Sequence, residues 1–133
     1  PIRHAARVRG RGTLAGMASP RQHGLVIDVP RADQQRAVAF WSAALGRTAE
    51  VSEKYPDYAQ FADVTPGCYL LVQATGDSTV RVHLDFATED RDGELDRLIG
   101  MGATEVTREH HWGVMTDPAG QPFCLCPVSG CTE

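Results

Sequence analysis

From Leu25 onward, apolar and polar positions fall into short runs that switch between strand-like and helix-like spacing. Leu25-Val26-Ile27-Asp28-Val29 is rich in β-branched residues and stops at Pro30, which predicts a strand. Residues 31–45 read as a helix. Val38, Trp41 and Leu45 recur at i, i+3 and i+7, while Arg31, Asp33, Gln34, Gln35 and Arg36 face outward, and Gly46 stands where a C-terminal cap belongs. Thr48–Ser52, Tyr58–Val64 and Cys68–Ala74 follow as strands, the last two joined by the turn Thr65-Pro66-Gly67. The second half repeats the order. Arg81–Phe86 predicts a strand, and Glu89–Met101 a helix with Leu95, Leu98 and Ile99 on one face, ended by Gly102. Ala103–Thr107, Trp112–Thr116 and Gln121–Cys126 are the remaining strands, with Asp117-Pro118-Ala119-Gly120 turning between the last two. Ile27-Asp28-Val29 is answered by Leu84-Asp85-Phe86, and Gly46–Val51 by Gly102–Val106. A period of about 56 residues marks an internal duplication. The predicted class is α+β: two tandem βαβββ modules, about 24–75 and about 80–127, forming a curved mixed sheet around a cleft with helices on the outer side.

Strand parity then sorts the side chains. Leu25-Ile27-Val29 and Val82-Leu84-Phe86 belong on the helix-covered face, which leaves Gly24-Val26-Asp28 and Arg81-His83-Asp85 for the other. Tyr69-Leu71-Gln73 and Cys124-Cys126 join that second face. A surface carrying His83, Asp85, Asp28, Gln73, Tyr69 and Cys124 is too polar for a sealed core and predicts a solvent-filled cleft.

Composition narrows the function classes. The chain has 133 residues, enough for one domain without a metal or disulfide to hold it. Residues 1–21 carry Arg3, Arg7, Arg9, Arg11 and Arg21 with no acid, leaving 8 basic against 17 acidic residues in the remainder. Residues 1–22 read as a flexible basic leader, vector-derived or upstream sequence rather than a nucleic-acid tether, with Met17 a plausible natural start; residues 23–133 form the domain. A net charge of −4 argues against nucleic acid, and no apolar run reaches a membrane span or a signal-peptide core. The expected location is cytoplasmic. Cys68, Cys124, Cys126 and Cys131 lack the density and context of a disulfide framework, so reduced thiols are expected. No glycine-rich phosphate loop or Gly-x-Ser-x-Gly elbow supports nucleotide or serine-hydrolase chemistry.

Ala39-Phe40-Trp41 through Leu45-Gly46, Val82-His83-Leu84-Asp85 through Met101-Gly102-Ala103, and Val114–Gly120 into Phe123-Cys124-Leu125 together resemble the vicinal-oxygen-chelate superfamily, in its glyoxalase-like branch. The resemblance spans about residues 24–127. It implies paired βαβββ modules, a homodimer, and a cleft in which a divalent metal chelates neighbouring substrate oxygens in some members. Carried over one position at a time, the family's ligands fall on Gly24, with His23 one residue early, then on Gln73, His83 and Cys124. Only His83 matches well. With no carboxylate at those positions a hard ion gains little, so the chelate site is expected to be degenerate and without cofactor. If a metal binds, zinc held by His83, Cys124, Gln73 and His23 is the alternative.

The expected function is therefore glyoxalase-like binding of a small organic molecule. His83 is the catalytic candidate, as general base or polar anchor, and Gln73, Cys124, Tyr69, Asp85 and Trp112 are the ligand-binding candidates. The alternatives are a metal-dependent lyase or dioxygenase, and a drug-binding resistance protein with aromatic walls. Asp28 and Asp85, equivalent in the repeat, read either as a paired acid/base set or as groups hydrogen-bonded where the modules meet. His110 and His111, beside Trp112, read as a solvated rim, and Trp41 as core.

Overall fold

The structure, a computed structural model, describes residues 20–109 and 112–128. The strands and helices are β1 (Arg21–Pro30), α1 (Gln34–Leu45), β2 (Glu50–Val51), β3 (Tyr58–Thr65), β4 (Cys68–Thr75), β5 (Arg81–Thr88), α2 (Arg91–Gly100), β6 (Thr104–Arg108), β7 (Gly113–Thr116) and β8 (Pro122–Pro127). They build one curved, unclosed sheet in the order β2-β3-β4-β1-β5-β8-β7-β6. The duplication is plain in that order. Each module pairs its first strand in parallel with its last, β1 with β4 and β5 with β8, and the modules join where β1 runs antiparallel to β5.

Both helices cover the same face. In module one, Val38, Trp41 and Leu45 of α1 pack on Val29, Phe61, Leu70 and Val72. In module two, Leu95 of α2 meets Met115 and Leu125, with Leu98, Phe86 and Phe123 around them. Trp41 is core, as its spacing predicts. Each fully buried side chain of this size contributes about 1.5–3 kcal/mol, so the two small cores fix which face of each strand is turned inward. Gly46 ends α1 at φ 65°, a left-handed conformation that a side chain resists. Asp90 caps α2 by accepting from the Gly93 N–H at 3.0 Å.

Several boundaries differ from the sequence reading, each for a local reason. Arg31–Asp33 form a single 3-10 turn ahead of α1. β2 shrinks to two residues because the chain turns at Ser52, whose carbonyl accepts from the Tyr55 N–H. β1 begins at Arg21 instead of Leu25, so the first module recruits the end of the expected leader. That extension continues the pairing with β5 past a register shift between Gln22 and Gly24. Cys68 and Cys124 are free thiols, as expected, but Cys126 is disulfide-bonded, which overturns the all-reduced expectation at that position. His110, His111 and Cys131 lie outside the described residues.

Candidate functional site

The face away from the helices holds a cleft of about 560 Å³. Strand register arranges its floor in three rows. Tyr58, Gln73, Asp28 and Arg81 stand opposite one another across β3, β4, β1 and β5. Gln60, Leu71, Val26 and His83 form the next row on the same strands. Tyr69, Gly24, Asp85, Cys124 and Val114 form the third, across β4, β1, β5, β8 and β7. The parity argument therefore places Asp28, Gln73, Tyr69, His83, Asp85 and Cys124 on one face. Trp112 also lines the cleft.

A continuous polar strip crosses the join between the modules. His83 Nδ1 lies 2.7 Å from an Asp28 carboxylate oxygen, and His83 Nε2 lies 3.4 Å from Asp85. The Tyr69 hydroxyl donates to the other Asp85 oxygen at 2.5 Å and lies 3.4 Å from His23 Nε2. Asp85 is buried, and the His83 and Asp28 side chains are only 12% and 20% exposed. Of the two readings of Asp28 and Asp85, the geometry matches hydrogen bonding at the module join.

Electrostatics follow from these partners. Burial is the largest single influence on His83 and opposes its charge, but hydrogen bonds to Asp28 and Asp85 and the neighbouring Cys124 outweigh it and raise its pKa well above the ordinary value of 6.5. Burial raises the Cys124 pKa, against a smaller lowering by His83, so the group is a neutral thiol near pH 7. The two carboxylates are then what hold the proton on His83. Tyr69 is pushed up by burial and by Asp85, which keeps the phenol protonated and donating. Burial lowers the His23 pKa, with Asp85 partly countering it.

Two features were beyond sequence reasoning. Strict alternation from Gly24 would turn His23 away from the cleft; the irregularity between Gln22 and Gly24 shifts the strand by one, and His23 faces the cleft against the Tyr69 ring. At Gly24 there is no room for a ligand side chain, because an added Cβ would run into the Tyr69 ring. Gln73 lies in the row of Asp28, two rows from Cys124, so the expected ligand set does not share one row.

A family model for the glyoxalase-like domain matches residues 24–126. The chain belongs to this family. Through it the chain is part of the vicinal-oxygen-chelate superfamily. Among curated proteins, none matches the sequence. Methylmalonyl-CoA epimerase of Streptomyces coelicolor, in complex with 2-nitronate-propionyl-CoA, superposes with a TM-score of 0.58 at 19% identity, covering 85% of this chain and 100% of that one. The Mycobacterium tuberculosis methylmalonyl-CoA epimerase gives 0.56 at 17% identity, over 84% and 93%. A hypothetical protein from Bacillus halodurans C-125 gives 0.63 at 11% identity, over 87% and 99%. At these identities the likeness is one of fold.

Members of the superfamily often hold a divalent metal, so the donors of this glyoxalase-like cleft matter. His83, Asp85 and Cys124 each offer a ligand atom within 4.8 Å of the others. Imidazole, carboxylate and thiolate together suit zinc. Asp28 behind His83 and Tyr69 behind Asp85 would orient two of the three. In such a site Asp85 would supply the carboxylate missing from the four family positions. No helix among the described residues is long and apolar enough to cross a membrane.

Proposed function

We propose that this glyoxalase-like protein binds a small organic molecule directly on the floor of its cleft. The observation that carries the reading is the hydrogen-bonded strip from Asp28 through His83 and Asp85 to Tyr69, laid along the bottom of an open, drug-sized cavity. Tyr58 and Trp112 supply apolar ring surface on the walls. His83 acts as an anchor: its protonated ring bonds Asp28 at 2.7 Å, faces Asp85 at 3.4 Å and has no lone pair to accept a proton. It fixes Asp28 and Asp85, and Asp85 in turn aligns Tyr69. The expected outcome is that aromatic compounds from a thermal-shift library raise the melting temperature of the wild type and that Tyr58→Ala weakens those hits. A library in which no compound stabilises the protein, or whose hits ignore Tyr58, would count against cleft binding.

The triad His83, Asp85 and Cys124 favours a second reading, in which a zinc-class ion polarises ligand oxygens. The ion would have to displace the proton shared between His83 and Asp85, and the Cys124 proton as well. Direct binding predicts substoichiometric metal in protein purified without chelator. About one ion per chain, lost in Cys124→Ser, would establish the metal reading instead.

A further inference from the structure

The first row of the cleft floor carries a guanidinium beside two uncharged donors, whereas the middle row offers, among the described residues, only the Gln60 amide as an unbonded donor. Arg81 is exposed, lines the cleft and has no ion pair among the described residues. Gln73, half-buried on β4, makes no side-chain hydrogen bond among those residues, and neither does the Tyr58 hydroxyl. Asp28 stands in the same row, but its carboxylate is taken up by His83. Asp77 is on the rim and exposed, and Asp57, next to Tyr58, is paired with Arg31. The middle row presents Leu71 and Val26, an apolar strip between Gln60 and His83. The third row holds Asp85 and Cys124, a carboxylate bonded to the Tyr69 hydroxyl and a neutral thiol. Along the strands the first and third rows lie four residues apart, roughly 13 Å at 3.3 Å per residue.

Resting on the cleft-binding reading above, we infer that the first row is an anion subsite, in which Arg81 with Gln73 and Tyr58 holds the carboxylate of a small organic acid. Its apolar body lies over Leu71 and Val26, and its far end meets the third row. A guanidinium without a carboxylate partner is suited to this because its planar fork matches two carboxylate oxygens. Asp28 and Asp85 share the single His83 cation, so the floor keeps a net negative charge, and with Arg81 to offset only one more carboxylate a second negative group on the ligand is disfavoured. The ligand class is therefore a monocarboxylate with an apolar body about the length of the cleft, and dicarboxylates are rejected.

The test uses three probes of one shape, 2-naphthoate, 2-naphthamide and 2,6-naphthalenedicarboxylate, titrated into the full chain while the indole N–H signal of Trp112 is followed by NMR. The expected result is that naphthoate binds about tenfold more tightly than naphthamide, one charge-assisted contact's worth, and that the dicarboxylate binds no better than the amide. Arg81→Met, which keeps the apolar stem, should erase the acid preference, so that naphthoate binds no better than naphthamide; Gln73→Ala should reduce the preference. Both positions are away from the packed cores, and thermal unfolding verifies that the variants fold. Equal affinity for acid and amide, or a preference that survives Arg81→Met, overturns the anion subsite. If naphthamide still shifts Trp112 in that case, cleft binding stands; if no probe moves Trp112, both fall.

Discussion

His83→Ala is expected to destabilise the fold by about 3 kcal/mol or more at pH 6.5, although the position is in a cleft and not in either core. Removing the imidazole leaves Asp28 and Asp85, with side chains 20% and 11% exposed, facing each other without the cation between them. Breaking a buried ion pair from one side costs on this scale because a buried charge is left uncompensated. The sequence alone suggests that this substitution weakens ligand binding and spares the fold; the carboxylate at each nitrogen revises that expectation. The pH dependence has a definite sign. The folded pKa of His83 is raised above its unfolded value of 6.5, so its contribution is fully present below pH 6.5 and is lost as pH rises through the folded value. Urea denaturation of wild type and His83→Ala between pH 6.5 and 7.5, about a unit below the ordinary thiol pKa, should show the stability gap narrowing as pH rises. A constant gap, or one that widens, would refute the charged-imidazole account. Asp28→Asn added to His83→Ala should recover part of the loss.

Gly24→Ala is expected to cost about 1–3 kcal/mol, the range of overpacking in a filled site. The new methyl group would run into the Tyr69 ring, and that ring is not free to swing: its hydroxyl is bonded to Asp85 and the His23 ring packs beside it, centroids 5.2 Å apart. Relief requires Tyr69 to leave, which breaks the strip at its third-row end. In a Tyr69→Ala background the same Gly24→Ala change should be close to neutral, so a double-mutant cycle on thermal unfolding isolates the clash. If Gly24→Ala costs the same with and without the Tyr69 ring, backbone freedom at Gly24 and not the ring is the reason for the glycine.

Much of this was legible in the chain because two periodicities do most of the encoding. Val38, Trp41 and Leu45 mark one helix, Leu95 and Leu98 the other, and the alternation around Ile27 and Leu84 fixes which face each central strand turns to the cleft. Parity therefore puts His83, Asp85, Tyr69 and Cys124 on the cleft face. It could not find which of them meet. Register between β1 and β5 is a long-range property, and it decides that Asp28 reaches His83 while Gln73 stands in a different row from Cys124. A one-residue irregularity, as at Gln22/Gly24, reverses which face a side chain takes and leaves no trace in composition, so His23 was misdirected by the same rule that placed the rest. The disulfide at Cys126 was missed because compartment arguments weigh the whole chain and not the geometry of one strand end.

The antiparallel join of β1 and β5 sets Val26 directly opposite His83, and the repeat makes those two positions counterparts. Asp28 and Asp85, the counterparts on either side, are retained in both modules. The scaffold is thus nearly two-fold about this pair of residues, and the chemistry is not, since one copy of the position is valine and the other histidine. A symmetric pair of histidines would give a small molecule two equivalent ways to lie down. With one imidazole at this pair of positions the floor has a head and a tail, unpaired donors at the Arg81 end and a carboxylate and thiol at the other. Divergence at a single position of the duplicated strand is enough to give the ligand a direction.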